Sequence, residues 1–254
     1  MGVILFFSAM IGAVIGSFCN MLIYRLPRDQ EIVYTRSHCP HCQQSLNVLD
    51  LVPLLSFIGL RGRCRHCKKY IGGRYFVVEV ICTFLWAGIT LLTGFSLEGV
   101  LFGLILTALV VVFFTDMETQ IIPDSVTIWI AGVGAVLSLV RGHFLSGLAG
   151  ILIGFGSLWV LSIIGKKIYG RDVMGGGDIK LAGAMGLSLG LWPTLGMLYA
   201  SFMIGGIVAF GLIVLGKKDR MALIAFGPFL IGGYIVVVLW GKMMWHWYAS
   251  GMFY

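Results

Sequence analysis

Seven uncharged stretches divide the chain, at residues 1–24, 80–97, 99–115, 125–140, 142–165, 181–216 and 221–241. About 20 apolar residues are needed for a helix to cross the hydrocarbon of a bilayer. The stretch at 181–216 is long enough for two crossings, and Trp192-Pro193 inside it marks the expected break. The pattern therefore predicts an all-α polytopic membrane protein of about eight transmembrane helices. Its shortest members are 125–140 and the piece that precedes Trp192.

Composition agrees, with 59% hydrophobic and only 11% charged residues, far from a soluble domain. The basic residues orient the helices. Nine of the 18 Lys and Arg fall between Arg25 and Arg74, and others cluster at Lys166, Lys167, Arg171 and Lys180, and at Lys217, Lys218 and Arg220. Threading eight helices with the 25–74 loop inside places all three clusters in the cytoplasm and leaves only Arg141 and Lys242 outside, as the positive-inside rule requires. The net charge of +7 then faces an anionic inner leaflet, and no nucleic acid is needed to account for it. The first 24 residues lack a basic n-region and read as a retained, N-outside anchor rather than a cleaved signal.

Residues 25–75 are the one sizeable polar segment, between the first and second helices. They carry Cys39-Pro-His-Cys42 and Cys64-Arg-His-Cys67. Two C-x2-C pairs at this spacing are the signature of a four-thiolate zinc site, each short turn presenting two sulfurs to one ion. A fifty-residue loop has too little core to fold alone, so a metal would supply its stability, and a closed four-sulfur shell makes that role structural. The alternative, two disulfides, conflicts with a reducing cytoplasm. Cys19 and Cys82 lie in apolar stretches and read as core thiols.

Asp116 and Asp178 carry the candidate chemistry. Each sits where an apolar stretch meets a polar junction, in DMETQIIPD and GGGDIK, and the threading puts both at the inner membrane face. Ionisable groups are costly at membrane depth, which makes such residues functional candidates. Two neighbouring carboxylates share a proton; one can take a proton from water while the other polarises a carbonyl. Duller roles stay open: Asp116 as a solvated loop carboxylate like Glu118, and Asp124 and Asp178 as helix N-caps. Gly175-Gly176-Gly177 exceeds what a cap requires and would let an extended peptide lie close to the backbone. Neither G-x-S-x-G nor H-E-x-x-H occurs. His143 falls on the outer face and His246 in the C-terminal tail.

These residues, in this order, resemble the type IV prepilin peptidases, membrane aspartic proteases of the G-x-G-D class. The resemblance runs through Gly16-Ser17-Phe18-Cys19-Asn20, Tyr24-Arg25-Leu26-Pro27, the paired C-x2-C loop, Asp50-Leu51-Val52-Pro53-Leu54-Leu55-Ser56, Arg61-Gly62-Arg63-Cys64 and Arg74-Tyr75 with Glu79. It continues in Asp116 with Ile122-Pro123-Asp124, and in Gly175-Gly176-Gly177-Asp178 with Lys180. Phe76 departs from the Arg-Tyr-Pro common in the family. The resemblance implies an enzyme of the bacterial inner membrane that removes the basic leader from prepilin or pseudopilin precursors at the cytoplasmic face. It implies Asp116 and Asp178 as the catalytic pair, with Gly175, Gly176, Gly177, Lys180 and Asp124 beside the substrate.

Many members of that family then methylate the new N-terminal amine from S-adenosylmethionine, and the tetracysteine loop accompanies the bifunctional ones. On this reading residues 1–24 are the first helix, 25–75 the tetracysteine domain with the methyltransferase part, and 76–254 the peptidase core. Glu79, Tyr75 and Arg74 are the candidate cofactor residues, since a sulfonium favours a carboxylate and an aromatic face. Glu79 could equally pair with Arg74 as an interfacial ion pair. A proton-relay transporter, an assembly factor that docks through its zinc loop, and a different intramembrane aspartic protease are the competing functions. The position of the aspartates, the glycine strip and the N-terminal motifs respectively speak against them.

Overall fold

The computed structural model describes residues 1–251 apart from 33, 35, 40 and 217–224, with the helical backbone alone for 242–251. The basic cluster of Lys217, Lys218 and Arg220 and the side chain of His246 lie outside the described residues. The described structure is helical, apart from two isolated β-bridges in the cysteine loop. The principal helices are α1 (Gly2–Arg25), α2 (Leu55–Gly59), α3 (Arg74–Thr93), α4 (Leu97–Thr119), α5 (Asp124–Val140), α6 (Phe144–Tyr169), α7 (Gly176–Leu189), α8 (Leu191–Val214) and α9 (Gly227–Gly251). Among the described residues, α1, α3, α4, α6 and α8 are long and apolar enough to cross a membrane, and α5 and residues 227–241 of α9 are shorter apolar helices.

Helix boundaries depart from the uncharged stretches at two informative places. The break within 181–216 falls at Gly190, with φ +85°, and Trp192-Pro193 sits in the first turn of α8. Proline is tolerated there because that turn has no intrahelical partner for its N–H. Helix α3 begins at Arg74 rather than residue 80, so Tyr75 and Glu79 lie one turn apart on one face.

The chain divides into two compact units, Met1–Thr115 and Asp116–Tyr254. In the first, α1 and α3 pack antiparallel. A Cβ at Gly12 would lie 2.5 Å from the Cys82 carbonyl oxygen, and one at Gly16 would lie 2.8 Å from the Glu79 Cα. Hydrogen bonds join the helices where small residues let them approach. Ser8 Oγ donates to the Trp86 carbonyl at 2.9 Å, and Asn20 Nδ2 to the Tyr75 carbonyl at 2.9 Å.

The cysteine loop consists of two arms with the same hydrogen-bond plan. Cys39 N–H donates to Gln44 O, Gln43 N–H to Cys39 O and Leu46 N–H to Ser37 O. Cys64, Lys68 and Ile71 repeat the set onto Lys69, Cys64 and Gly62. Gln43 and Lys68 both take φ near +60° to close their turns.

In the second unit α7 is the central element. With 14 residues it spans about 21 Å, short of a bilayer core. Nearly every residue from Asp178 to Ser188 is buried, against α5, α6, α8 and α9. A Cβ at Gly150 or Gly154 of α6 would run into the Gly186 or Ala182 carbonyl of α7. Ser188 of α7 is hydrogen-bonded to the buried Tyr234 hydroxyl of α9 at 3.0 Å.

Candidate active site

Asp116 occupies the last turn of α4, which stops where Gln120 turns to φ +55° and donates its N–H to the Asp116 carbonyl. Its side chain is buried. The Gly227 N–H, at the start of α9 and 111 residues along, donates to Asp116 Oδ2 at 3.1 Å. A Cβ at Gly227 would lie 2.6 Å from that same oxygen, so only glycine lets the backbone come this close.

Asp178 is the third residue of α7. It receives the Gly175 N–H, so it steadies the helix start from the third position, while Gly175 and not Asp178 is the N-cap. Its other oxygen, Oδ1, is buried and has no hydrogen-bond partner among the described residues. The two carboxylates are near enough for Asp116 to act electrostatically on Asp178. Ile122, from the loop between α4 and α5, links their surroundings. A Cβ on Gly177 would lie 2.9 Å from Ile122 Cβ, and one on Gly227 would lie 3.4 Å from Ile122 Cδ1. One turn, one glycine strip and one helix start thus enclose a pair of buried carboxylates.

Asp124 and Lys180 lie apart from this buried pair. Lys180 Nζ bonds both Asp124 oxygens, at 2.8 and 2.9 Å, and both side chains are more than half exposed. Asp124 starts α5 but makes no capping bond, because Pro123 holds the N-cap position. It ties the α4–α5 turn to α7 instead.

In the first unit the four cysteine sulfurs lie within 4.8 Å of one another, with Cys39–Cys67 and Cys42–Cys64 at 3.9 Å. A disulfide would need about 2.05 Å. Tetrahedral Zn–S bonds of about 2.3 Å imply sulfur–sulfur edges near 3.8 Å, which the cluster matches. The His66 and Cys67 N–H groups point at the Cys64 sulfur, an arrangement that suits thiolates around a cation. His38 and Arg36 are joined through Nδ1 and a carbonyl rather than through the cluster. Cys39, Cys42, Cys64 and Cys67 therefore fit a zinc ion.

Of the residues expected to hold a cofactor, Tyr75 and Glu79 line one cavity of about 140 Å³ beside the cysteine arms. Glu79 is buried and accepts the Leu54 N–H at 2.7 Å and a bond from Ser17. Leu54 sits at φ +61°, ψ −51°, the strained conformation of a γ-turn. The Arg74 guanidinium stacks over the Tyr75 ring, 4.8 Å from its centroid, and lies outside the cavity lining.

Sequence comparison gives these features a family. The profile described as Bacterial Peptidase A24 N-terminal domain matches residues 10–93, and that of the Type IV leader peptidase family matches residues 103–210. A protein of Aeromonas hydrophila, called prepilin leader peptidase/N-methyltransferase, is 35% identical over 267 residues, 93% of this chain and 90% of its own length. The chain belongs to the type IV leader peptidase family. Relatives of the same name in Pectobacterium carotovorum subsp. carotovorum and Neisseria gonorrhoeae are 36% and 31% identical, again over more than nine-tenths of both chains. No solved structure matches. Within the family frame, Asp116 and Asp178 fall inside the leader peptidase match, and the cysteines, Tyr75 and Glu79 inside the N-terminal one. Gly227 falls beyond both.

Proposed function

We propose that this chain is a bifunctional prepilin peptidase. It removes the basic leader from prepilin or pseudopilin precursors and then methylates the exposed N-terminal amine from S-adenosylmethionine. The observation that carries the first half is the buried Asp116–Asp178 pair, in a family of leader peptidases, with one carboxylate oxygen unengaged by the described residues.

The pair shares one proton. Its ionised member takes a proton from water as that water attacks the scissile carbonyl, and the protonated member hydrogen-bonds the carbonyl oxygen. The tetrahedral centre then collapses, the C–N bond breaks, and the leaving amine takes up a proton from the pair. Gly175-Gly176-Gly177 leaves room for extended substrate backbone. Lys180 and Asp124 hold the rim of the site together next to the substrate.

The cysteine loop, with structural zinc on Cys39, Cys42, Cys64 and Cys67, belongs to the methylation half. S-adenosylmethionine supplies the methyl group, and Glu79 and Tyr75 are the residues that meet it, with Arg74 stacked on the Tyr75 ring from outside the cavity. The chain sits in the bacterial inner membrane as eight helices, with α7 sheltered by its neighbours and both aspartates at the cytoplasmic face. A substrate whose basic leader stays in the cytoplasm and whose apolar stem lies in the bilayer has its junction at that level.

Purified protein in detergent tests this directly. A prepilin substrate is incubated with wild type, Asp116→Asn or Asp178→Asn, with and without S-adenosylmethionine, and its N-terminus is read by mass spectrometry. Each substitution should slow cleavage by on the order of 10²–10⁴-fold, with folding and zinc content retained. Normal cleavage by either variant would remove that aspartate from the mechanism.

A further inference from the structure

The cavity in the first unit holds a polar atom that none of the described residues engages. Asn20, on α1, is 2% exposed and lines the cavity, and its Oδ1 has no hydrogen-bond partner among the described residues. The amide orientation is determined, because Nδ2 must face the Tyr75 carbonyl, an acceptor, at 2.9 Å. An unpaired buried acceptor costs free energy unless a ligand or solvent satisfies it.

The charges around it sort themselves clearly. Arg25 lines the cavity but spends its guanidinium on the Glu31, Ile32 and Arg36 carbonyls, at 2.9, 3.3 and 3.1 Å. Asp50 is paired with Arg65 at 2.7 Å. Among the described residues Glu79 receives hydrogen bonds from two neutral donors, Leu54 N–H and Ser17, so its carboxylate has capacity left. The unspent functionality is therefore accepting and anionic, beside the aromatic faces of Tyr75 and Phe57. Such a lining selects a ligand that is cationic and rich in N–H donors.

The geometry points to this cavity as the S-adenosylmethionine site, with Asn20 Oδ1 and the Glu79 carboxylate receiving the cationic, amine-bearing end of the cofactor. This rests on the methyl-transfer reading above and adds Asn20 as a positioning residue. Glu79 is held by Leu54, whose strained turn is what presents its N–H to the carboxylate. The loop that follows the first cysteine pair thus shapes the pocket as well as supporting the metal. At about 140 Å³ the cavity takes one end of the cofactor and leaves the rest at its mouth.

The test is equilibrium binding of S-adenosylmethionine to the full-length, zinc-loaded protein in detergent. Wild type is compared with Asn20→Leu, Glu79→Gln and Leu60→Trp, the last filling the cavity from its apolar side without removing a hydrogen bond. Zinc content and melting curves report folding. Each variant should bind at least about tenfold more weakly, Asn20→Leu and Glu79→Gln through a lost bond to the cationic ligand and Leu60→Trp through lost space. S-adenosylmethionine affinity unchanged in folded Asn20→Leu and Leu60→Trp would overturn the cavity assignment. If wild type itself fails to bind while it still cleaves prepilin, the methyl-transfer reading falls and the cavity assignment with it.

Discussion

At the residue scale the candidate site depends on close approach as much as on its two carboxylates. Gly227→Ala would drive a methyl group onto Asp116 Oδ2 while leaving both aspartates in place. Cleavage should fall at least about tenfold for a 1.4 kcal/mol misplacement, with secondary structure by circular dichroism unchanged. Asp50 makes a different prediction. Burial works to raise its carboxyl, but the Arg65 guanidinium and the Asn47 N–H override that and hold it below the ordinary carboxylate range. A carboxyl whose folded pKa is depressed stabilises the fold fully above its unfolded value, about 4, and that contribution is lost as pH falls through the lower folded value. Limited proteolysis of the 25–75 loop should therefore accelerate below about pH 4, and Asp50→Asn should accelerate it already at neutral pH. The catalytic candidates were legible in the chain because a carboxylate beside a long apolar stretch stands out. Gly227 was not, because its contribution is a backbone N–H, which leaves no mark on residue type. Its partner lies 111 positions away.

At the element scale the uncharged stretches reported where helices are, and the structure changed what each one does. Helix α7 was expected as a spanning segment. It is also a buried strut, shorter than the bilayer core, around which α5, α6, α8 and α9 assemble. Hydropathy cannot separate these cases, because a helix buried in protein and one facing lipid are both apolar. The misplaced break at Trp192-Pro193 has a similar cause: a proline signal marks either the end of one helix or the first turn of the next. The contact between α6 and α7 carries its own prediction. Gly154→Leu would force the helices apart at the Ala182 carbonyl, and overpacking of this kind costs roughly 1–3 kcal/mol. Its melting temperature in detergent should drop, and cleavage should drop with it, since the displaced neighbour α7 carries Asp178. The two cysteine arms show an internal duplication that the C-x-H-C pairs hinted at. Only the hydrogen-bond plan extends it to ten residues on each side, Ser37–Leu46 and Gly62–Ile71.

At the scale of the whole molecule large apolar side chains cover the outside as well as fill the core, and small hydroxyl side chains are buried among them. Phe6, Phe7, Phe84, Leu92, Leu152 and Phe210 face outward, while Ser8, Thr90, Thr107, Thr115, Ser188 and Ser201 are buried. Lipid is the solvent that makes this arrangement favourable. The eight-helix threading is open to a simple check: single cysteines introduced at Gly142 and Asp172, in a chain with its own reactive thiols protected, should label from opposite sides of sealed vesicles. Removal of the metal is predicted to act locally. A strong zinc chelator should release one zinc per chain and expose the 25–75 loop to protease, because a loop of that size gains much of its stability from the ion. The bond between Gly227 and Asp116 bears on how short the enzyme can be. The leader peptidase match ends at residue 210, yet the chain returns at α9 to grip a carboxylate that lies inside that match. A fragment stopped after α8 would keep both aspartates and still be a broken tool. Supplying α9 as a separate peptide should restore its cutting.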